Sequence, residues 1–339
     1  MGYFKFLFAC GRSPNFTASN VLNAISKYTS VSLPERLVYR FVVVPQLRTA
    51  LTEKGQKFDS IVANRPDWGA GRVDTFNPYK VLVFNLDMKN DTSIGTARFM
   101  SVWNQAEQEG IWHHWDGNND SLDERNLSAA IGAGVTLNPP SFDVNGLERI
   151  KQWLLYRPPP RYPFPIDMTL AAQGRPIYQK TCASCHDPSG EHFGTVTPQD
   201  KVGTDPERML AFDKPMAARM NTIGAGYPWA FHRFRSTNGY ANHSLEGIWL
   251  RAPYLHNGSV PTLDDLMKPV AQRPVTFYAG NDVYDQKRVG FVSDAPSSGG
   301  RVSIEFDTRL KGNSNAGHVY GNGLSDDERR ALLEYLKTL

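Results

Sequence analysis

The sequence predicts a mostly α-helical chain of two helical domains with long irregular loops, and three observations carry that prediction. Apolar residues recur at helical spacing through much of residues 1–156. Five prolines then interrupt the chain within RPPPRYPFP at 157–165. A capping box, Ser325 with Glu328, opens a last helix with an apolar stripe. The 339 residues suit two domains, each large enough to bury a core.

The elements follow in order. Val21, Leu22 and Ile25 share one face of a first helix that Thr17 can cap. Leu47, Leu51, Phe58, Ile61 and Val62 mark a second amphipathic helix, and strand signals are few in this half. Loops rich in Gly, Asn, Asp and Trp come next, notably at 68–74 and 115–120; their length and composition suggest ligand contact. The proline run is a semi-rigid extended connector, so residues 1–156 are expected to form one domain, 157–167 a linker and 168–339 a second domain. The second domain opens on a helix over 168–181, passes through an irregular Gly/Pro-rich middle, and closes on the capped helix, where Leu332, Leu336 and Leu339 align beside Tyr335. No internal repeat of the 20–50-residue kind is visible.

Composition excludes several classes. Forty per cent apolar and 21% charged residues describe a folded globular chain, not a collagen-like, coiled-coil or disordered one. Lys and Arg number 37 against 34 Asp and Glu, without runs of like charge, so no nucleic-acid footprint is implied. The most apolar stretch, near 37–47, is broken by Arg40 and Pro45, far short of the roughly 18 residues a membrane helix needs. Residues 3–10 are too short for a secretory h-region with its flanks. Three cysteines exclude a disulfide framework.

Two of those cysteines carry the chemistry. CASCH at 182–186 is a covalent c-type haem attachment pattern: Cys182 and Cys185 are spaced to add to two vinyl groups, and His186 then lies under the iron. A thioredoxin-like dithiol needs a preceding strand, and a zinc site needs two further ligands; neither context is present. Gly174, Tyr178 and Cys182 recur every four residues, so a glycine faces the side on which another helix can approach. For the sixth iron position His192, His232, His243, His256 and His318 are available, with Met220 and Met267. His318, in a loop seven residues before the Ser325 cap, is preferred and His256 is second. Two imidazoles leave no open position, which suits electron transfer.

Through Gly174 and the LLEYLKTL helix, the second half resembles a class I cytochrome c fold, in which first and last helices cross at such a glycine. Over a wider span, WGAGRVDTFNPYK at 68–80, HWDGNNDSLDERN at 114–126, RAPYLHNGSVPTLDDL at 251–266 and FDT at 306–308 resemble the bacterial di-haem cytochrome c peroxidase superfamily, nearest its rubber-oxygenase-like branch. The resemblance implies two cytochrome c-like domains and haem c, and leaves a calcium ion open. It implies Glu124, nine residues after Trp115, as an acid/base residue, with His114 near the same distal pocket. Arg251, Tyr254 and His256 are candidates for the haem edge and propionates. Asn118 stands where the peroxidases usually carry arginine, and the family's first haem motif would lie upstream of Met1. The expected function is electron transfer with a small redox protein as partner, in a periplasmic or secreted setting. The alternative is a peroxidase or dioxygenase whose catalytic haem lies upstream.

Overall fold

The computed structural model describes residues 2–137, 141–298 and 300–339. Helix makes up 41% of the chain and strand 9%, so the chain is mostly α. Contacts divide it into two compact units: one runs up to Asp67 and includes Asn77–Thr92, and the other holds Trp68–Phe76 with Ser93–Leu339.

The first unit is built on four helices: α1 (Gly2–Arg12), α2 (Ala18–Ile25), α3 (Leu33–Val38) and α4 (Val44–Val62). Thr17 caps α2 as its position predicts, accepting from the Asn20 amide at 3.2 Å. Phe4, Phe8 and Phe58 form a small aromatic core between α1 and α4, with ring centres 5.4–6.3 Å apart. On α4 Phe58 and Ile61 are buried, whereas Leu47, expected on the same apolar face, is 45% exposed. Arg65 and Lys80 both reach Asp91.

The second unit holds the short helices and paired strands that shape a cleft. Its framework is the crossing of the helices Met168–Thr181 and Asp326–Leu336. A Cβ placed on Gly174 would stand 2.0 Å from the Ala331 carbonyl oxygen, so only glycine admits the crossing. Beside it the rings of Tyr178 and Tyr335 lie 5.1 Å apart. Ser325 and Glu328 make the reciprocal capping box. Among the described residues the strands pair in two-stranded antiparallel ribbons, such as Arg72–Asp74 with Thr96–Arg98 and Val196–Pro198 with Gly239–Ala241.

The proline-rich stretch, expected as the linker between 1–156 and 168–339, lies inside the second unit, and the chain passes between the units at 67/68, 76/77 and 92/93. Proline lacks an amide hydrogen but keeps its carbonyl. The carbonyls of Arg157 and Pro160 accept from the Asn104 amide and from Trp249 Nε1 at 2.9 and 3.1 Å, and Tyr162 packs edge-on against Trp249. These contacts hold 157–162 within the second unit.

The loop around 115–120, expected to matter, has a structural counterpart at 254–265. His113 pairs with Asn119 and Tyr254 with Val260. Residues His114 and Leu255 have positive φ, as do Gly117 and Gly258. Ser121 and Thr262 then cap the helices Leu122–Gly132 and Leu263–Leu266. The segments 113–124 and 254–265 thus adopt one conformation twice, a repeat too distant to register as a period in the sequence.

Candidate cofactor site

The helix Met168–Thr181 delivers Cys182, and one further turn, Ala183–His186, carries the rest of the CASCH motif. The Cys182 carbonyl accepts from the amides of Cys185 and His186 at 3.2 and 3.0 Å. This turn sets Cys182, Cys185 and His186 on the wall of a cleft of about 250 Å³ that is partly open to solvent. Most of the remaining wall is apolar, including Ile248, Leu263, Met267, Leu332 and Leu336. Burial pushes the Cys182 thiol up to about 12.

His186 Nδ1 lies 2.7 Å from the His243 carbonyl oxygen. A carbonyl only accepts, so Nδ1 carries the hydrogen and Nε2 keeps its lone pair for a metal. Burial lowers the pKa of His186, which keeps the ring neutral.

His318 lies in the same cleft. A Cβ on Gly317 would fall 2.2 Å from the Gly203 carbonyl carbon, so backbone meets backbone there. The His318 amide donates to the Val202 carbonyl at 2.7 Å, and Arg273 donates to the carbonyls of Asn315, Gly317 and His318. Burial, with His186 close by, lowers the His318 pKa to about 3.

The ring centres of His186 and His318 are 6.0 Å apart. An imidazole nitrogen sits about 2.0 Å from its metal and the ring centre about 1 Å behind it, so two rings across one metal stand roughly 6 Å apart. Two thiols in CxxCH spacing on the same wall complete a donor set that fits a covalently attached haem. Among the described residues no group of three or more His, Cys, Asp or Glu is arranged to hold an ion directly.

His256 also lines the cleft, but its ring stacks on Tyr240 at 4.2 Å. Its Nε2 has no protein partner, nor have Thr204 Oγ1 and Arg98 Nε nearby on the same wall. Unpaired buried donors of this kind suit the carboxylates of a bound group. Arg251 donates to the Ser244 carbonyl at 2.8 Å, and the Tyr254 hydroxyl is shared between the carbonyls of Ile248 and Val289. Of the remaining candidates Met267 reaches the cleft, and Met220 is buried in the short helix Lys214–Met220.

Glu124 is buried near the start of its helix with both oxygens engaged. Oε1 accepts from the His232 amide at 2.8 Å, and Oε2 from the Arg233 amide at 3.1 Å and Asn119 Nδ2 at 2.8 Å. His114 Nδ1 faces Asn118 Oδ1 at 2.6 Å. Neither side chain lines the cleft that holds CASCH.

His113 is 1% exposed, and neither ring nitrogen has a protein partner. Burial and, next, Arg125 lower its pKa to about 3. The unfolded chain takes up the proton near pH 6.5 while the folded chain does not, so stability is whole above that pH and lost as pH falls toward 3. Urea denaturation should show about 2 kcal/mol less stability at pH 5 than at pH 7 from this group. In His113→Phe that part of the pH dependence should vanish.

Residues 239–278 match the family described as RoxA-like, cytochrome c-like. The likeness is to a RoxA-like cytochrome c. The matched segment carries His243, Arg251, Tyr254 and His256, all on the cleft wall, and it supports the link to the rubber-oxygenase-like branch. Two proteins of Sinorhizobium fredii (strain NBRC 101917 / NGR234) are similar over most of the chain. The uncharacterized protein y4iJ is 28% identical, over 80% of this chain and 60% of its own length. The uncharacterized protein y4iM is 31% identical, over 70% of this chain and 63% of its own length. The chain therefore spans about three-fifths of the relatives it matches.

Sequence reasoning missed the role of the His243 carbonyl, which holds His186, and the pair of like loops. A signal for the loops exists: Asp116-Gly117 and Asn257-Gly258 are each followed by a hydroxyl cap and Leu-Asp, at 121–123 and 262–264. No sequence signal marks a carbonyl as an acceptor.

Proposed function

We propose that the chain is a c-type cytochrome that transfers electrons, with haem joined to Cys182 and Cys185 and iron held between His186 and His318. The 6.0 Å pairing of the two rings inside a cleft that also presents both thiols carries the reading. Each thiol adds across a vinyl group, forming a carbon–sulfur bond while its hydrogen passes to the other vinyl carbon, so attachment consumes no oxidant. Bound haem supplies a one-electron iron couple, at a lower potential than His/Met ligation would give. His186 and His318 would hold the iron, the apolar wall would keep water away, and the unpaired polar atoms of Arg98, Thr204 and His256 would be available to the group's carboxylates. The C-terminal part is read as a class I cytochrome c fold on the crossing at Gly174. A periplasmic or secreted location and a small redox protein as partner accompany this reading. Among the described residues no helix is long and apolar enough to cross a membrane.

The enzymatic alternative, with Glu124 as acid/base, has no comparable support, because both Glu124 oxygens are occupied. Expression with haem-maturation machinery should yield a c-type pyridine haemochrome band and a low-spin absorption spectrum. His318→Ala should turn the spectrum partly high-spin, and His256→Ala should leave it low-spin. Absence of the c-type band would overturn the reading, and an unchanged spectrum in His318→Ala would move the ligand elsewhere.

A further inference from the structure

We propose that the HWDGNN segment, 114–119, positions His186 through His243, and so tunes the electron-transfer potential of the site. The inference rests on the cytochrome reading above and adds a role to a segment that reading leaves unused.

The connection is a series of hydrogen bonds joined through His243 and His114, each of which takes part by both its ring and its backbone carbonyl. His186 Nδ1 donates to the His243 carbonyl at 2.7 Å. The His243 ring is in turn tied at Nε2 to the carbonyl of His114, 3.1 Å away, and burial lowers its pKa to about 3. His114 Nδ1 donates to Asn118 Oδ1 at 2.6 Å, and Asn118 Nδ2 donates to Asp116 Oδ2 at 2.9 Å. Arg208 Nη2 closes the run on Asp116 Oδ1 at 2.9 Å. Asp116, Asn118 and Arg208 are all buried.

Each acceptor in the run fixes the tautomer before it. Asp116 faces the donors of Arg208 and Asn118, so the Asn118 amide oxygen must point to His114 and the His114 hydrogen must sit on Nδ1. His243 meets a carbonyl, so its hydrogen sits on Nε2. The carbonyl of His243 thereby belongs to a residue whose side chain is clamped at its far end, not to a free strand. The Ala241 amide donates to the Trp115 carbonyl at 2.8 Å and anchors the same strand to the same loop. A ligating imidazole that donates its other N–H is oriented and made more basic, and a more basic ligand favours the oxidised metal. The segment therefore holds the potential down, and loosening it raises the potential.

The experiment is a redox titration of the haem-loaded protein and three variants. In His243→Leu the ring donor is lost, and the ratio of reduced to oxidised protein at fixed potential should rise about tenfold, a shift of about 59 mV for one electron. His243→Gln keeps an amide donor near the Nε2 position and should stay within about twofold of wild type. Asp116→Asn preserves size but sets an amide against the Asn118 amide, forces Asn118 to turn, and leaves Arg208 unbalanced; about a threefold rise is expected. If His243→Leu fails to hold haem, Asp116→Asn carries the test. Low-spin spectra with potentials within about twofold of wild type in His243→Leu and Asp116→Asn would overturn the inference. Absence of a c-type band in the wild-type protein would overturn the cytochrome reading instead, so the two failures are distinct.

Discussion

Gly174→Ala should cost about 3 kcal/mol of stability and weaken retention of the fold around CASCH. Helix propensity alone predicts the opposite, because alanine in a helix interior is favoured over glycine by about 1 kcal/mol. The sign therefore decides between a local and a tertiary role. The added methyl would meet the Ala331 carbonyl oxygen at 2.0 Å and the Tyr335 Cβ at 2.9 Å, and a backbone oxygen on a packed helix cannot swing aside. The helices must separate, and Tyr178, Leu332, Leu333 and Leu336 belong to the core that separation would open. Urea denaturation of the haem-loaded protein, with Gln173→Ala on the same helix as the control, checks it. An unchanged or raised midpoint in Gly174→Ala would mean that the helices slide without cost.

How much of this was legible follows from where each signal lives. Local chemistry was readable: the Thr17 and Ser325 caps form as predicted because a hydroxyl and its donor amides lie within one turn. The Gly174 crossing was readable because a four-residue spacing fixes a helix face. His318 was preferred as an iron ligand from its loop before the last helix, and its ring centre lies 6.0 Å from that of His186. Long-range backbone contacts were not readable. The proline stretch looked like a linker because its composition is that of one, yet the carbonyls of Arg157 and Pro160 tie it down. His243 was weighed as an iron ligand, but its ring is directed to the His114 carbonyl and its own carbonyl to His186. His114 and Leu255 carry positive φ without being glycine, so the doubled loop had no local signature at those positions.

Glu124→Gln should lower stability by about 2 kcal/mol and leave the haem absorption spectrum unchanged. The carboxylate accepts from two backbone amides and one side-chain amide, and those three donors have no use for a glutamine NH2. Turned toward Oε1, the NH2 opposes the His232 amide; turned toward Oε2, it opposes both the Arg233 amide and Asn119. At least one buried donor is left unpaired in either pose, which is the costly half of a broken hydrogen bond. At the matching position of the second loop Asp265 accepts from Thr262 Oγ1 at 2.6 Å and from Lys268 Nζ at 3.0 Å, so there too the carboxylate is engaged by protein donors, in that case local ones. An acid/base group behaves differently: its amide variant loses turnover while its stability stays near wild type. Urea denaturation and the absorption spectrum of Glu124→Gln, measured together, separate the two roles. A wild-type urea midpoint would restore Glu124 as a candidate catalytic group. A lowered midpoint with an intact spectrum would identify it as the clamp that holds residues 232–233 against the helix Leu122–Gly132.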